Sequence, residues 1–188
     1  MSLKLDEKPI LLKFARTVLE RSVKESGLRN QVDWLKELVP NFSVSDMSPQ
    51  SLFVTLKKFK ELRGCVGTIL TELPLLQGLG KLTMQSAFFD PRFSPLTLEE
   101  LPFIQIEISF LSPLEKIIRI EEIIPGEHGV YLKNGFNVGL FLPQVWQELP
   151  HLEEFLQELC FSKAGLSKDA WKDSKTELFI FTVDHFAE

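Results

Sequence analysis

The sequence predicts an α+β fold, a mainly antiparallel sheet flanked by helices. Three observations carry that expectation. Stretches with two-residue alternation, such as FIQIEISFL at 103–111, are interspersed with stretches of helical period, such as 10–23. Adjacent strand-like stretches are joined by links too short for the helical crossover that parallel pairing needs. Asn134-Gly135 also sits between two apolar runs, as a two-residue hairpin turn does. With 188 residues, of which 44% are hydrophobic and 25% charged, the chain is long enough for a sizeable core.

In chain order, Ile10, Leu11, Phe14, Ala15, Val18, Leu19 and Val23 recur at helical spacing and predict an amphipathic helix that stops near Gly27. A short helix follows at Asp33 to Leu38, ended by Pro40, and 41–51 reads as a loop. Residues 51–59 alternate and lead through a charged link into ELRGCVGTIL at 61–70, so the two read as an antiparallel pair. A helix from Pro74 to about Phe88, a proline-punctuated loop and a turn of helix at Leu98 to Leu101 come next. Within one domain of 1–188, the insertion at about 71–102 is the candidate for a smaller lobe. Strand 103–111, the Asn134-Gly135 hairpin and helices over LPQVWQEL and HLEEFLQELCF complete the pattern. TELFIFTVD, apolar on both faces, suits a central strand.

A net charge of -5 and no basic run longer than Lys57-Lys58 argue against nucleic-acid binding. Charges at Lys13, Arg16, Glu20 and Arg21 break any signal peptide or membrane span, so a cytoplasmic protein without membrane contact is expected. Cys65 and Cys160 read as free thiols. His128, His151 and His185 are far apart and lack a second ligand type at metal-site spacing, so neither metal nor cofactor is expected.

The candidate chemistry centres on LRGCVG. In an extended strand, Leu62, Val66 and Leu70 share one face, while Arg63, Cys65 and Ile69 share the other. Gly64 permits a bulge or a close backbone approach, and Gly67 adds no bulk beside the thiol. A guanidinium near Cys65 would favour the thiolate and make it a nucleophile. The bland alternative has Cys65 as a small buried hydrophobe, Arg63 paired with a carboxylate and the glycines marking a bulge. In AFFDPRFSPL, two prolines stiffen a loop that presents Asp90, Arg92 and Phe93, and Arg92 there can orient an anionic ligand. The structural alternative is a turn cap at Asp90 and an ion pair at Arg92. Glu107, mid-strand on a polar face, is a third candidate against a plain surface salt bridge. His128 is a weak candidate for the base.

LRGCVG, AFFDPRFSPLTLEELP, IEISFLSP, HGV, FLPQVW and AGL followed by Trp171, in that order, resemble the AMMECR family over most of the chain from about residue 10. LRGCVG looks like its hallmark motif, with Val66 where isoleucine is usual. The resemblance implies two unequal subdomains with the motif near a cleft between them. It places the family's motif residues on Arg63, Gly64, Cys65 and Gly67, and those of its second motif on Asp90, Arg92 and Phe93. It also implies that the activity is not firmly established, and that a radical S-adenosylmethionine protein and a Memo-type protein act as partners. The chain has no cysteine triad for an iron–sulfur cluster, so that cofactor would belong to a partner. Two functions follow as expectations. One is an enzyme or enzyme component whose cleft holds Cys65 and a small or anionic substrate. The other is a non-catalytic module binding a ligand or peptide.

Overall fold

The computed structural model describes residues 6–25, 33–69 and 72–188. Among the described residues, four α-helices and two four-stranded antiparallel sheets make up an α+β fold. The chain divides into two compact units, one running to Phe110 and including His185–Glu188, the other Leu111–Asp184. Of the stretch read as a possible smaller lobe, about 71–102, the described residues lie within the first unit.

In the first unit, helix α1 (Lys8–Lys24) opens with Pro9 in its first turn, where a missing N–H costs nothing. Its stripe of Leu11, Phe14, Ala15, Val18 and Leu19 is fully buried. The predicted stop at Gly27 lies outside the described residues. Helix α2 (Asp33–Leu38) runs into a 3₁₀ turn, Val39–Asn41, that contains Pro40. Strands β1 (Leu52–Lys58) and β2 (Glu61–Thr68) form the expected hairpin, and α3 (Leu75–Phe88) follows. The helical turn predicted at 98–101 forms slightly later, at Leu101–Phe103, immediately before β3 (Ile104–Leu111).

The first sheet has the order β2-β1-β3-β8, with β8 (Val183–Ala187) a strand that the sequence reading had not separated from the one before it. Leu52, Val54 and Leu56 of β1 and Ile104, Ile106 and Ile108 of β3 are buried in one cluster with the stripes of α1 and α3. Phe53, Thr55 and Lys57, with Gln105 and Glu107, take the other face and are only half-buried. Alternation along the pleat thus separates a core face from an outer face.

The second unit holds β4 (Glu115–Ile117), β5 (Gly129–Asn134), β6 (Asn137–Phe141) and β7 (Glu177–Phe181), in the order β4-β7-β5-β6. The interior position of β7 explains its apolar faces. The β5–β6 hairpin forms with Gly135-Phe136 as its turn, one residue later than predicted, because Asn134 pairs with Asn137. Only Gly135 takes a positive φ there, +62°, so glycine occupies the first turn position, as type II′ hairpins favour. LPQVWQEL winds as a 3₁₀ stretch, Pro143–Gln147. Helix α4 (Leu152–Glu158) widens into a π turn, Leu159–Lys163. Phe155, Leu156, Leu159 and Cys160 are fully buried beside Trp146, whose ring stacks on Phe155 at 3.7 Å. No helix among the described residues is long and apolar enough to cross a membrane.

Candidate functional site

The LRGCVG segment is an edge strand with a bulge in it. Leu56 faces Gly64 while Lys57 faces Leu62, so Arg63 is the extra residue with no partner on β1. The bulge shifts the alternation assumed from sequence: Leu62 is exposed, not inward beside Val66, and Arg63 is buried. Leu70 lies outside the described residues.

Arg63 is buried and holds Glu100 in a two-pronged pair, Nε to Oε1 at 3.0 Å and Nη2 to Oε2 at 2.8 Å. Its Nη2 also donates to the Ser94 carbonyl at 3.0 Å, and its guanidinium lies over the Phe93 ring at 5.8 Å. Those bonds from Arg63, opposed by burial and helped by Lys58 and the Thr97 N–H, pull the Glu100 carboxyl down to about 2. Arg63 therefore latches the 93–100 segment through Glu100 and Ser94.

Each glycine answers a contact. A Cβ on Gly64 would sit 2.0 Å from the Ser86 carbonyl oxygen, so only glycine lets the last turn of α3 touch β2. That contact brings the Ser86 hydroxyl into the ladder, where it accepts the Val66 N–H at 3.0 Å and donates to the Val54 carbonyl at 2.8 Å. Gly67 does not leave open space beside the thiol as expected, because the Phe53 ring lies over it, 2.1 Å from where a Cβ would stand.

Cys65 is half-buried on the outer face, opposite Thr55. Thr55 Oγ1 donates to its Sγ at 3.2 Å. At the open edge of β2, the Cys65 N–H donates to Asp90 Oδ2 at 2.8 Å, and Arg92 Nη2 donates to the Cys65 carbonyl at 3.3 Å. Two side chains of the DPRF loop thus stand where a further strand would pair, which seals the edge. Asp90 is 4% exposed and also accepts from Arg92 N at 3.1 Å, Nε at 2.9 Å and Nη2 at 2.7 Å. The Arg92 hydrogen bonds hold the Asp90 carboxyl far below the usual carboxylate range, although burial opposes them. Asp90 in turn raises Arg92, with a smaller contribution from the charge of Cys65. The cation beside Cys65 is therefore Arg92, with a side chain 53% exposed. Phe93 carries Arg92 on its ring at 5.5 Å as well as Arg63, so two guanidiniums hold the loop.

The outer face continues across the sheet. Thr55 pairs with Cys65 on one side and with Glu107 on the other, so the three form a transverse row. Glu107 Oε1 pairs with Lys57 at 2.7 Å, not with Arg63, and its Oε2 lies 4.0 Å from His185 Nε2 on β8. His185 Nδ1 is 3.3 Å from Ser109 Oγ. His128 lies in the second unit, where its Nδ1 accepts the Ile124 N–H at 3.1 Å and its carbonyl accepts Trp146 Nε1 at 2.7 Å. Cys160 is fully buried in that unit, and burial pushes its thiol up. Among the described residues, no three of His, Cys, Asp and Glu are grouped as a metal site.

The sequence reading missed Thr55, Ser86, Glu100 and His185. Strand alternation could have put Thr55 and Glu107 on one face, but nothing local marks Ser86 or Glu100 as partners of LRGCVG.

The family model described as AMMECR1 matches residues 12–186. Protein MJ0810 of Methanocaldococcus jannaschii is 34% identical, with 99% of this chain and 92% of that protein covered. Protein PYRAB00100 of Pyrococcus abyssi is 37% identical, over 95% and 88%. The crystal structure of the uncharacterized protein PH0010 from Pyrococcus horikoshii superposes with a TM-score of 0.84 at 34% identity, covering 99% of this chain and 93% of that one. A family model spanning nearly the whole chain, together with relatives and a solved structure alike over almost all of it, places the chain in the AMMECR1 family.

Proposed function

We infer that the outer face of the first sheet binds a small anionic ligand at Arg92 and holds it over the Cys65 thiol, as an enzyme or an enzyme component. One observation carries this reading. Asp90 holds Arg92 through Nε and Nη2 while the side chain stays half exposed beside Cys65, so Nη1 is left for a ligand. A guanidinium fixed in advance loses little freedom when an anion arrives. Thr55 Oγ1, already donating to the sulfur, stabilises negative charge that grows there. A radical S-adenosylmethionine protein and a Memo-type protein are the partners this reading takes from the family resemblance.

A non-catalytic binding module is the second reading. Among the described residues the only hydrogen bond to the Cys65 thiol comes from Thr55, and Arg63 pairs with Glu100. Among the described residues no general base hydrogen-bonds the sulfur, which favours binding without chemistry.

The test is alkylation of Cys65 with iodoacetamide, quantified by peptide mass spectrometry with buried Cys160 as the internal control. Acetate or inorganic phosphate is expected to slow the labelling of Cys65 in the wild type and not in Arg92→Ala. Equal labelling with and without either anion refutes the anion site. Loss of the cellular role in both Cys65→Ser and Cys65→Ala, with binding and fold intact, supports the enzyme. A role retained by Cys65→Ser supports the module.

A further inference from the structure

The transverse row ends at two groups with unused hydrogen-bonding capacity. At the β2 edge, Arg92 Nη1 has no hydrogen-bond partner among the described residues. Two strands away, Glu107 gives Oε1 to Lys57, while the ionisable neighbour of Oε2 is His185 Nε2 at 4.0 Å, beyond hydrogen-bond range. The Glu107 side chain is 13% exposed on the outer face, so its carboxylate is partly desolvated while still reaching the surface.

Between the two ends, the residues of the row are small. Cys65 and Thr55 lie side by side, flanked on β1 by Phe53 in one direction and Lys57 in the other. The Phe53 ring covers Gly67 on one side of the row, and on the other the Lys57 side chain reaches to Glu107. The thiol and a hydroxyl lie between them on the outer face. Strands in a sheet are about 4.8 Å apart, so the row from β2 to β3 is about 10 Å long. A compact inorganic anion fills one end of it and leaves the other empty.

We propose that the ligand of this face is elongated and bipolar, with an acidic group on Arg92, a protonated amine on Glu107 Oε2, and an apolar chain lying over Cys65 and Thr55. The proposal rests on the anion site inferred above and names the class of ligand it takes. His185, tethered by Ser109, borders the amine end and sets how far a ligand extends beyond β3. Both charges of such a ligand meet a counter-charge whose position is already fixed, Arg92 by Asp90 and Glu107 by Lys57. Neither end needs a new side-chain arrangement.

The probes are hexanoate, which has the acid alone, and 6-aminohexanoate, which has both charges on the same chain. The readout is protection of Cys65 from iodoacetamide. In the wild type, 6-aminohexanoate is expected to protect at a concentration about tenfold below hexanoate, as one added charge-assisted hydrogen bond provides. Glu107→Gln is expected to remove the advantage of 6-aminohexanoate over hexanoate. Glu107→Asp, which keeps the charge opposite Lys57, retains the advantage and shifts it toward 7-aminoheptanoate. Equal protection by hexanoate and 6-aminohexanoate overturns the bipolar ligand while leaving the anion site standing. An advantage that persists in Glu107→Gln, with a melting temperature near wild type, overturns it too. No protection by either probe refutes the anion site itself, and the bipolar ligand with it.

Discussion

Replacing Gly64 by alanine tests the physical account of the motif most directly. The added methyl would stand 2.0 Å from the Ser86 carbonyl oxygen, a separation that real Cβ contacts essentially never show below 3.0 Å. The last turn of α3 must therefore withdraw by about 1 Å in a close-packed region. Ser86 is the residue that moves, and its hydroxyl would leave both the Val66 N–H and the Val54 carbonyl. Two hydrogen bonds at about 1 kcal/mol each, plus about 1–3 kcal/mol of overpacking, give a cost of about 3–5 kcal/mol. Ser86→Ala alone loses only the hydroxyl and is expected to cost about 1–2 kcal/mol. The two costs should not add, because the glycine substitution has already broken the serine's bonds, so the double variant should match Gly64→Ala within about 0.5 kcal/mol. Equilibrium urea unfolding measures this, read through amide exchange of first-unit residues so that the second unit's transition does not mix in. A cost for Gly64→Ala below about 1 kcal/mol, or additive costs in the double variant, would refute the wedge.

Two further outcomes test the surroundings of the site. The carboxyl of Glu100 titrates at about 2 in the folded protein, below its unfolded value near 4.3. The stabilisation linked to that depression is fully present above pH ~4.3 and is lost as pH falls through that window toward 2. Glu100→Gln is expected to flatten the acid limb of stability between those values, and a pH–stability curve parallel to wild type argues against the Arg63 latch. The β1–β2 turn places two non-glycine residues, Phe59 at φ 53° and Lys60 at φ 71°, in the left-handed region. Phe59-Lys60→Asn-Gly is expected to raise stability by about 1 kcal/mol by removing that strain. The gain is partly offset by the lost contact between Phe59 and Phe103, whose rings are 5.1 Å apart. A loss of stability would mean that this ring pair outweighs the backbone.

Strand and helix positions were legible because they depend on neighbours one to four residues away. The alternation of Leu52, Val54 and Leu56 against Phe53, Thr55 and Lys57 follows from the pleat, and the stripe on α1 follows from the helical period. The roles of Arg63 and Gly67 were not legible for the same reason. One inserted residue in β2 breaks the alternation at Arg63; Gly64 marked the possibility of a bulge, but not its position or the carboxylate that Arg63 would meet. The ring filling the space at Gly67 comes from Phe53, and the partner of Arg63 is Glu100. Gly64 was legible as a close approach, but not what approached it.

By itself, the sequence determined an α+β protein with an outer polar face that carries Cys65, since covalent geometry makes strand side chains alternate wherever the pattern alternates. Only the tertiary structure decided that Arg92 bonds the Cys65 carbonyl while Arg63 holds Glu100, and that Glu107 and His185 continue the row. Those pairings join residues far apart in the chain, and the strand register and the seating of α3 on Gly64 bring them together.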